Sequence, residues 1–227
     1  MSTTSSAAEF APTRLVLIRH GESRVTVERV IGGPRTCSGL SDLGRQQAER
    51  LRDRLAETGE ITATVLYASA FPRATETAEI IAPALGVPVL EESGFGEHDP
   101  GPECDGLTFN DFVERYGMPD WESDPHAVTF PGGETVAEFH HRVGATLSRV
   151  VHEHRGDAIV VACHGGVIDA AFRGLLRLPS HGAFELQATN TSLTEFVTTR
   201  RGRWRLVRYN DAAHLAGLPL ETPRVSS

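Results

Sequence analysis

Short apolar runs alternate with helical periodicities along this chain, and that alternation restricts its fold more than any other feature. The runs lie at Arg14–Arg19, Thr64–Ala68, Val87–Leu90, Ala158–Cys163, Leu193–Val197 and Trp204–Arg208. Between them Leu43, Ala48, Leu51 and Leu55 recur at helical spacing, as do Ala74, Ala78, Ile81 and Leu85. The longest such set is Val136, Phe139, Val143, Leu147 and Val150. Gly86 and Gly156 stand where C-caps of the second and third helices are expected. Strands alternating with helices predict an α/β fold, a three-layer α/β/α sandwich whose sheet is mostly parallel. Only "TTRRGR" separates the last two runs, so they read as a hairpin that adds an antiparallel edge.

A chain of 227 residues suits one domain with a proper core. We place it at 14–215, between an N-terminal tail at 1–13 and a C-terminal tail at 216–227. The opening "MSTTSSAAEFAPT" has neither a basic n-region nor an apolar h-region, so it reads as a disordered tail and not a signal peptide. No apolar stretch is long enough to span a membrane. Residues 94–131 carry little periodicity and much Gly, Pro and Asp; they read as a lid-like insertion with a short helix around Phe109–Tyr116. Cys37, Cys104 and Cys163 are scattered and odd in number, which argues for a reducing compartment, the cytoplasm. A net charge of −8 argues against general nucleic-acid binding, although a local arginine cluster can still attract a small anion. All 22 basic residues are arginine. The absence of lysine rules out a Schiff-base lysine, a pyridoxal-phosphate anchor and a P-loop.

Two of the runs end alike. "LVLIRHGES" closes on Arg19, His20 and Gly21, and "IVVACHGGV" on His164, Gly165 and Gly166. Ligands of open α/β sheets sit beyond the carboxyl ends of the strands, so both imidazoles are expected to face one pocket. Glycine after each histidine would let backbone amides approach a ligand, and a helix starting at Gly165-Gly166 would aim its N-terminus at an anion. A third segment, "YASAFPRATETA", offers Ser69 as an N-cap and puts Arg73 in the first turn of a helix. A cation there opposes the helix dipole, which suggests an anionic ligand. Arg19 and Arg73 together can grip phosphate oxygens by forked hydrogen bonds.

These residues resemble the histidine phosphatase superfamily, in its phosphoglycerate-mutase-like branch. "RHGES", "YASAFPRATETA" and "CHGG" resemble its motifs, as do "GLSDLGRQQAERL", "FPGGET" and "NTSLTEF", over roughly Leu15 to Leu215. The resemblance implies that His20 is the nucleophile and forms a phosphohistidine, with His164, Arg19 and Arg73 stabilising the phosphoryl oxygens. It adds Ser23, Thr26 and Gly165 to Arg19 and Arg73 as substrate-binding residues. The family's proton donor is a carboxyl shortly before a Gly-acid-Trp-acid-Gly stretch. Laid on "LEESGFGEHDPG", that register selects Glu92, with Glu97 competing and Glu91 weaker. Two departures stand out. Thr26 replaces the asparagine usual six residues after the nucleophile, and "HDPGPEC" reads as an insertion before "DGLTFNDF", where the tryptophan is missing.

The expected activity is a metal-independent phosphatase acting on a small phosphorylated metabolite, without cofactor, nucleic acid or membrane, and with a homodimer as an option. Phosphoglycerate mutase uses the same residues but returns the phosphoryl group; the single arginine of residues 94–131, Arg115, among many acids favours hydrolysis. A non-catalytic phosphate-recognition domain is the rival of another class, and the intact His20, Arg19, Arg73 and His164 set weighs against it. His20, His164 and Glu92 also form a nominal zinc triad, but two guanidinium groups would repel a dication. The other eight histidines read as structural or solvated. So do Cys163, as a small buried strand residue, and the charge runs "RLRDRL" and "RRGRWR".

Overall fold

The computed structural model describes residues 10–120, 124–180, 182 and 184–219. Six strands form one sheet: β1 (Arg14–Arg19), β2 (Val65–Ala68), β3 (Val89–Glu91), β4 (Ala158–Cys163), β5 (Leu193–Thr198) and β6 (Trp204–Asp211). Their order is β3-β2-β4-β1-β5-β6. The pairs β3–β2, β2–β4 and β4–β1 are parallel, whereas β1–β5 and β5–β6 are antiparallel. The expected hairpin therefore forms, and its first strand also inverts the direction of the sheet beside β1.

Seven helices accompany the strands among the described residues: α1 (Arg24–Val27), α2 (Asp42–Thr58), α3 (Pro72–Leu85), α4 (Gly101–Cys104), α5 (Phe109–Tyr116), α6 (Val136–Glu153) and α7 (Gly165–Leu176). Period-two alternation along β1 divides the core. Leu15 and Leu17 join Phe139, Val143 and Leu147 of α6 and Val167 and Ile168 of α7. Val16 and Ile18 join Leu51 and Leu55 of α2 and Ala78 and Ile81 of α3. Helices thus cover both faces, as the alternation predicts. Each fully buried Leu, Ile or Phe contributes about 1.5–3 kcal/mol to holding the layers together.

The insertion carries α4 and α5 and a satellite core of Cys104, Phe112 and Phe130. Its "DPG" turn lies against "FPGGE": a Cβ on Gly101 would come within 2.4 Å of the Gly132 backbone, and one on Gly133 within 2.4 Å of Asp99 O.

Local expectations shift at the N-terminal tail, at Ser69 and at Gly156, for His154 closes α6 and not the glycine two residues on. Residues 1–9 of the expected tail lie outside the described residues, as do residues 220–227. Thr13, however, is buried and belongs to the sheet's framework. Its N–H donates to Thr198 Oγ1 at 2.8 Å, and its own Oγ1 accepts from Gly156 N at 2.8 Å. The second shift concerns Ser69, which does not cap α3. Pro72, with its preset φ and missing N–H, occupies the first helical position, so Phe71 is the N-cap. Arg73 still falls in the first turn.

Candidate active site

The parallel pairing of β1 with β4 sets Arg19 directly beside Cys163, so the next residues, His20 and His164, leave the sheet side by side. Their ring centroids are 5.1 Å apart, edge to face. Arg73 reaches them from the start of α3. Its Nε donates to His20 Nε2 at 3.1 Å and to His164 Nδ1 at 3.3 Å, and its Nη1 donates to Gly32 O at 3.1 Å. Arg19, His20, Arg73 and His164 are all at least 95% buried. The structure therefore gathers two imidazoles and two guanidinium-bearing residues from β1, α3 and β4.

Hydrogen bonds assign the tautomers. His20 Nδ1 lies 2.6 Å from Gly21 O, which can only accept, so Nδ1 carries the proton and Nε2 presents a lone pair. Asn190 Nδ2 donates to His20 O at 2.7 Å and fixes the backbone beneath the ring. His164 accepts from Arg73 at Nδ1, so its Nε2–H donates to Ser69 Oγ at 2.8 Å. Burial, followed by the charges of Arg73, His20, Arg19 and Arg142, holds the His164 imidazole well below its ordinary pKa.

The remaining expected residues divide. Gly165 opens α7, and a Cβ there would find Arg19 Nε at 3.9 Å as its nearest neighbour. The Arg19 guanidinium donates through Nη1 to Ala188 O. Ser23 and Thr26 share a hydroxyl–hydroxyl hydrogen bond of 2.9 Å at the start of α1, and Ser23 also bridges to Leu40. None of these contacts reaches the imidazoles.

Glu92 is directed elsewhere. One carboxylate oxygen accepts from Gly94 N at 2.9 Å and the other pairs with Arg149 on α6. Glu97 reaches the turn that follows His164: its Oε2 accepts from Gly166 N at 3.1 Å, two residues past that histidine. Gly166 makes that contact available, because a Cβ there would lie 2.3 Å from Glu97 Oε1. Gly21, which directly follows a histidine and reads in sequence as an opening for a ligand, is taken up by packing instead. Its N–H donates to Thr77 Oγ1 at 3.1 Å, and a Cβ would meet Gly44 O at 2.4 Å. It is there because the start of α2 packs on the loop.

Sequence reading passes over Asn190 and misassigns Ser69, both of which lie in the site. Asn190 falls within "NTSLTEF", a stretch noted for its likeness but not for any single residue. Cys163 is fully buried, and burial pushes its thiol pKa up, consistent with a packed strand residue.

Comparison with known proteins agrees with the geometry. Residues 15–212 match the model of the histidine phosphatase superfamily, branch 1. Phosphoglycerate mutase-like protein 4 of Arabidopsis thaliana is 33% identical over 205 residues, covering 88% of this chain and 86% of its own. Phosphoserine phosphatase 1 of Hydrogenobacter thermophilus is 29% identical over 211 residues, 92% of this chain and 97% of its own. A solved phosphoserine phosphatase of Entamoeba histolytica, in complex with phosphoserine, superposes with a TM-score of 0.73 at 25% identity, covering 89% of this chain and 99% of its own. With its strand order, its paired histidines and this match, the chain belongs to branch 1 of the histidine phosphatase superfamily and is an enzyme of the phosphomonoesterase type.

Proposed function

We propose that the protein hydrolyses a small phosphate monoester without a metal ion, through a phosphohistidine on His20. The observation that carries this reading is the single Arg73 N–H shared by His20 Nε2 and His164 Nδ1, which marks where a tetrahedral anion would be gripped. The His20 Nε2 lone pair attacks phosphorus, the ester P–O bond breaks, and the leaving alkoxide takes a proton from Glu97. Water then attacks phosphorus as the P–N bond breaks, Glu97 recovers a proton from that water, and inorganic phosphate leaves with the imidazole restored. Arg73, Arg19 and protonated His164 stabilise the equatorial oxygens. Glu97 takes the donor role in place of Glu92, because Glu92 is paired with Arg149 while Glu97 docks on the turn that follows His164. A bound phosphoryl dianion favours the proton-carrying form of a neighbouring carboxyl.

Two guanidinium groups at the site favour an anion over a dication, which supports metal independence. The named activities of the Hydrogenobacter and Entamoeba relatives support a small phosphorylated metabolite as substrate. Three free buried cysteines support a reducing, cytoplasmic setting. Among the described residues no helix is long and apolar enough to cross a membrane.

Rapid-quench labelling with a panel of phosphate monoesters tests the mechanism. The expected outcome is an acid-labile phosphoenzyme, lost together with at least about 1,000-fold of the turnover in His20→Ala, and activity unchanged by chelators. A stoichiometric binder with no phosphoenzyme would show a recognition domain instead. Isomerisation dependent on a bisphosphate primer would show a mutase.

A further inference from the structure

One ion pair outside the reacting groups holds the segment that carries Glu97. Arg142 projects from α6, and its Nη1 donates to Gly94 O and Gly96 O, both at 3.0 Å. Its Nη2 donates to Glu97 O at 3.2 Å. The same guanidinium meets Glu134 through two bonds of 2.7 Å, Nε to Oε1 and Nη2 to Oε2. Glu134 in turn accepts from Asp99 N at 3.1 Å, and its own N–H donates to Asp99 O at 3.0 Å. Residues 94, 96, 97 and 99 are thus tied to one planar cation and its carboxylate. Only a fork of fixed geometry can serve three carbonyls and a carboxylate at once; an ammonium cannot.

The clamp sits at one end of a short lever. At the other end, the Glu97 carboxylate rests on Gly166 N, in a gap that no side chain at 166 would leave. Burial alone would raise the Glu134 pKa. Hydrogen bonds from Arg142 and from Asp99 outweigh it and hold the group below its ordinary value, so the pair stays charged.

We propose that Arg142, locked by Glu134, is a positioning residue that sets the reach of the Glu97 carboxyl toward the leaving-group oxygen. This inference rests on Glu97 being the proton donor. Its signature is a dependence on the leaving group. An alkoxide must be protonated as the P–O bond breaks, whereas p-nitrophenolate leaves without help. Loss of phosphate binding or of general order would depress both reactions alike.

The test measures turnover at limiting substrate (kcat/KM), which reports the first P–O cleavage and not the later attack of water that both esters share. It is run with the full chain on p-nitrophenyl phosphate and on an alkyl phosphate that the wild type turns over, with glycerol phosphate and O-phosphoserine tried first. Arg142→Met and Glu134→Gln are each expected to lower alkyl turnover roughly 10- to 100-fold and aryl turnover by less than about threefold. Arg142→Lys is expected to restore little. The double variant with Glu97→Gln should lose no more on the alkyl ester than Glu97→Gln alone. Equal losses on both esters, or none, in whichever of the two single variants folds would overturn the inference. Glu97→Gln separates the two failures: if it lacks the leaving-group dependence, the assignment of the donor is wrong; if it has it and Arg142→Met does not, only the clamp is wrong.

Discussion

Arg73 donates one N–H to two imidazoles, and its charge is second only to burial in lowering the His164 pKa. Burial, followed by the neighbouring positive groups, holds His164 well below its ordinary pKa. A bound dianion reverses the balance and favours the imidazolium. Binding therefore takes up a proton, and affinity must fall as pH rises. Sulfate suits the measurement because its own charge is constant between about pH 6 and about pH 8. Its inhibition constant is expected to weaken by up to about tenfold per pH unit across that range, with proton uptake visible as a buffer-dependent binding enthalpy. A flat profile would show that His164 does not face the anion. At this scale sequence reading works where a residue type has one use: arginine and histidine at strand tips are hard to explain otherwise. It falters where a type has several. Serine before a helix suggests a cap, yet Ser69 serves His164, because Pro72 starts the helix later. The acids of "LEESGFGEHDPG" offer no periodicity to choose among, and the choice of Glu97 depends on a gap at Gly166, far along the chain.

Elements meet at the site by backbone contact more than by side-chain filling. The start of α2 is pressed on the loop after β1: a Cβ on Gly44 would lie 2.0 Å from Glu22 O, and one on Gly21 2.4 Å from Gly44 O. Ser41 caps that helix by accepting from Gly44 N at 3.0 Å and donates to Glu22 Oε1 at 2.8 Å. Backbone cannot yield as a side-chain tip can, so Gly44→Ala is expected to cost about 1–3 kcal/mol in urea denaturation, with activity falling as the His20 loop shifts. An unchanged midpoint would mean that the contact relaxes freely. The strands and the three long helices are legible from period and length. The short α1 and α4 are not, since four residues carry no period. Neither is the placement of β4 between β2 and β1, which local patterns leave open and which the two matching His-Gly tips alone hint at.

At the scale of the whole molecule, three histidines among the described residues share one behaviour. Burial is the leading cause in each: His98, His164 and His214 are all held below the ordinary histidine value of 6.5, His214 at about 4. Because the folded values lie below the unfolded one, the unfolded chain binds more protons as pH falls through 6.5, and the fold loses stability. The window opens near 6.5 and extends to about 4 for His214. Glu60 and Glu134, also lowered, add losses only around and below their ordinary 4.5. Denaturation midpoints are therefore expected to drop between about pH 6.5 and about pH 5, before carboxylates titrate, and His214→Asn should reduce the slope. Stability constant over that interval would contradict the buried neutral rings.

The strand order has one more consequence, for synthesis. β1 is made early, yet both its neighbours, β4 and β5, come from residues 158 onward. A nascent chain thus holds an apolar strand with two open flanks through most of translation, and it can have no catalytic competence until both flanks close. Folding of this enzyme should be slow beside that of a helical bundle of its size, and its growing chain is the form most exposed to aggregation and most dependent on chaperones.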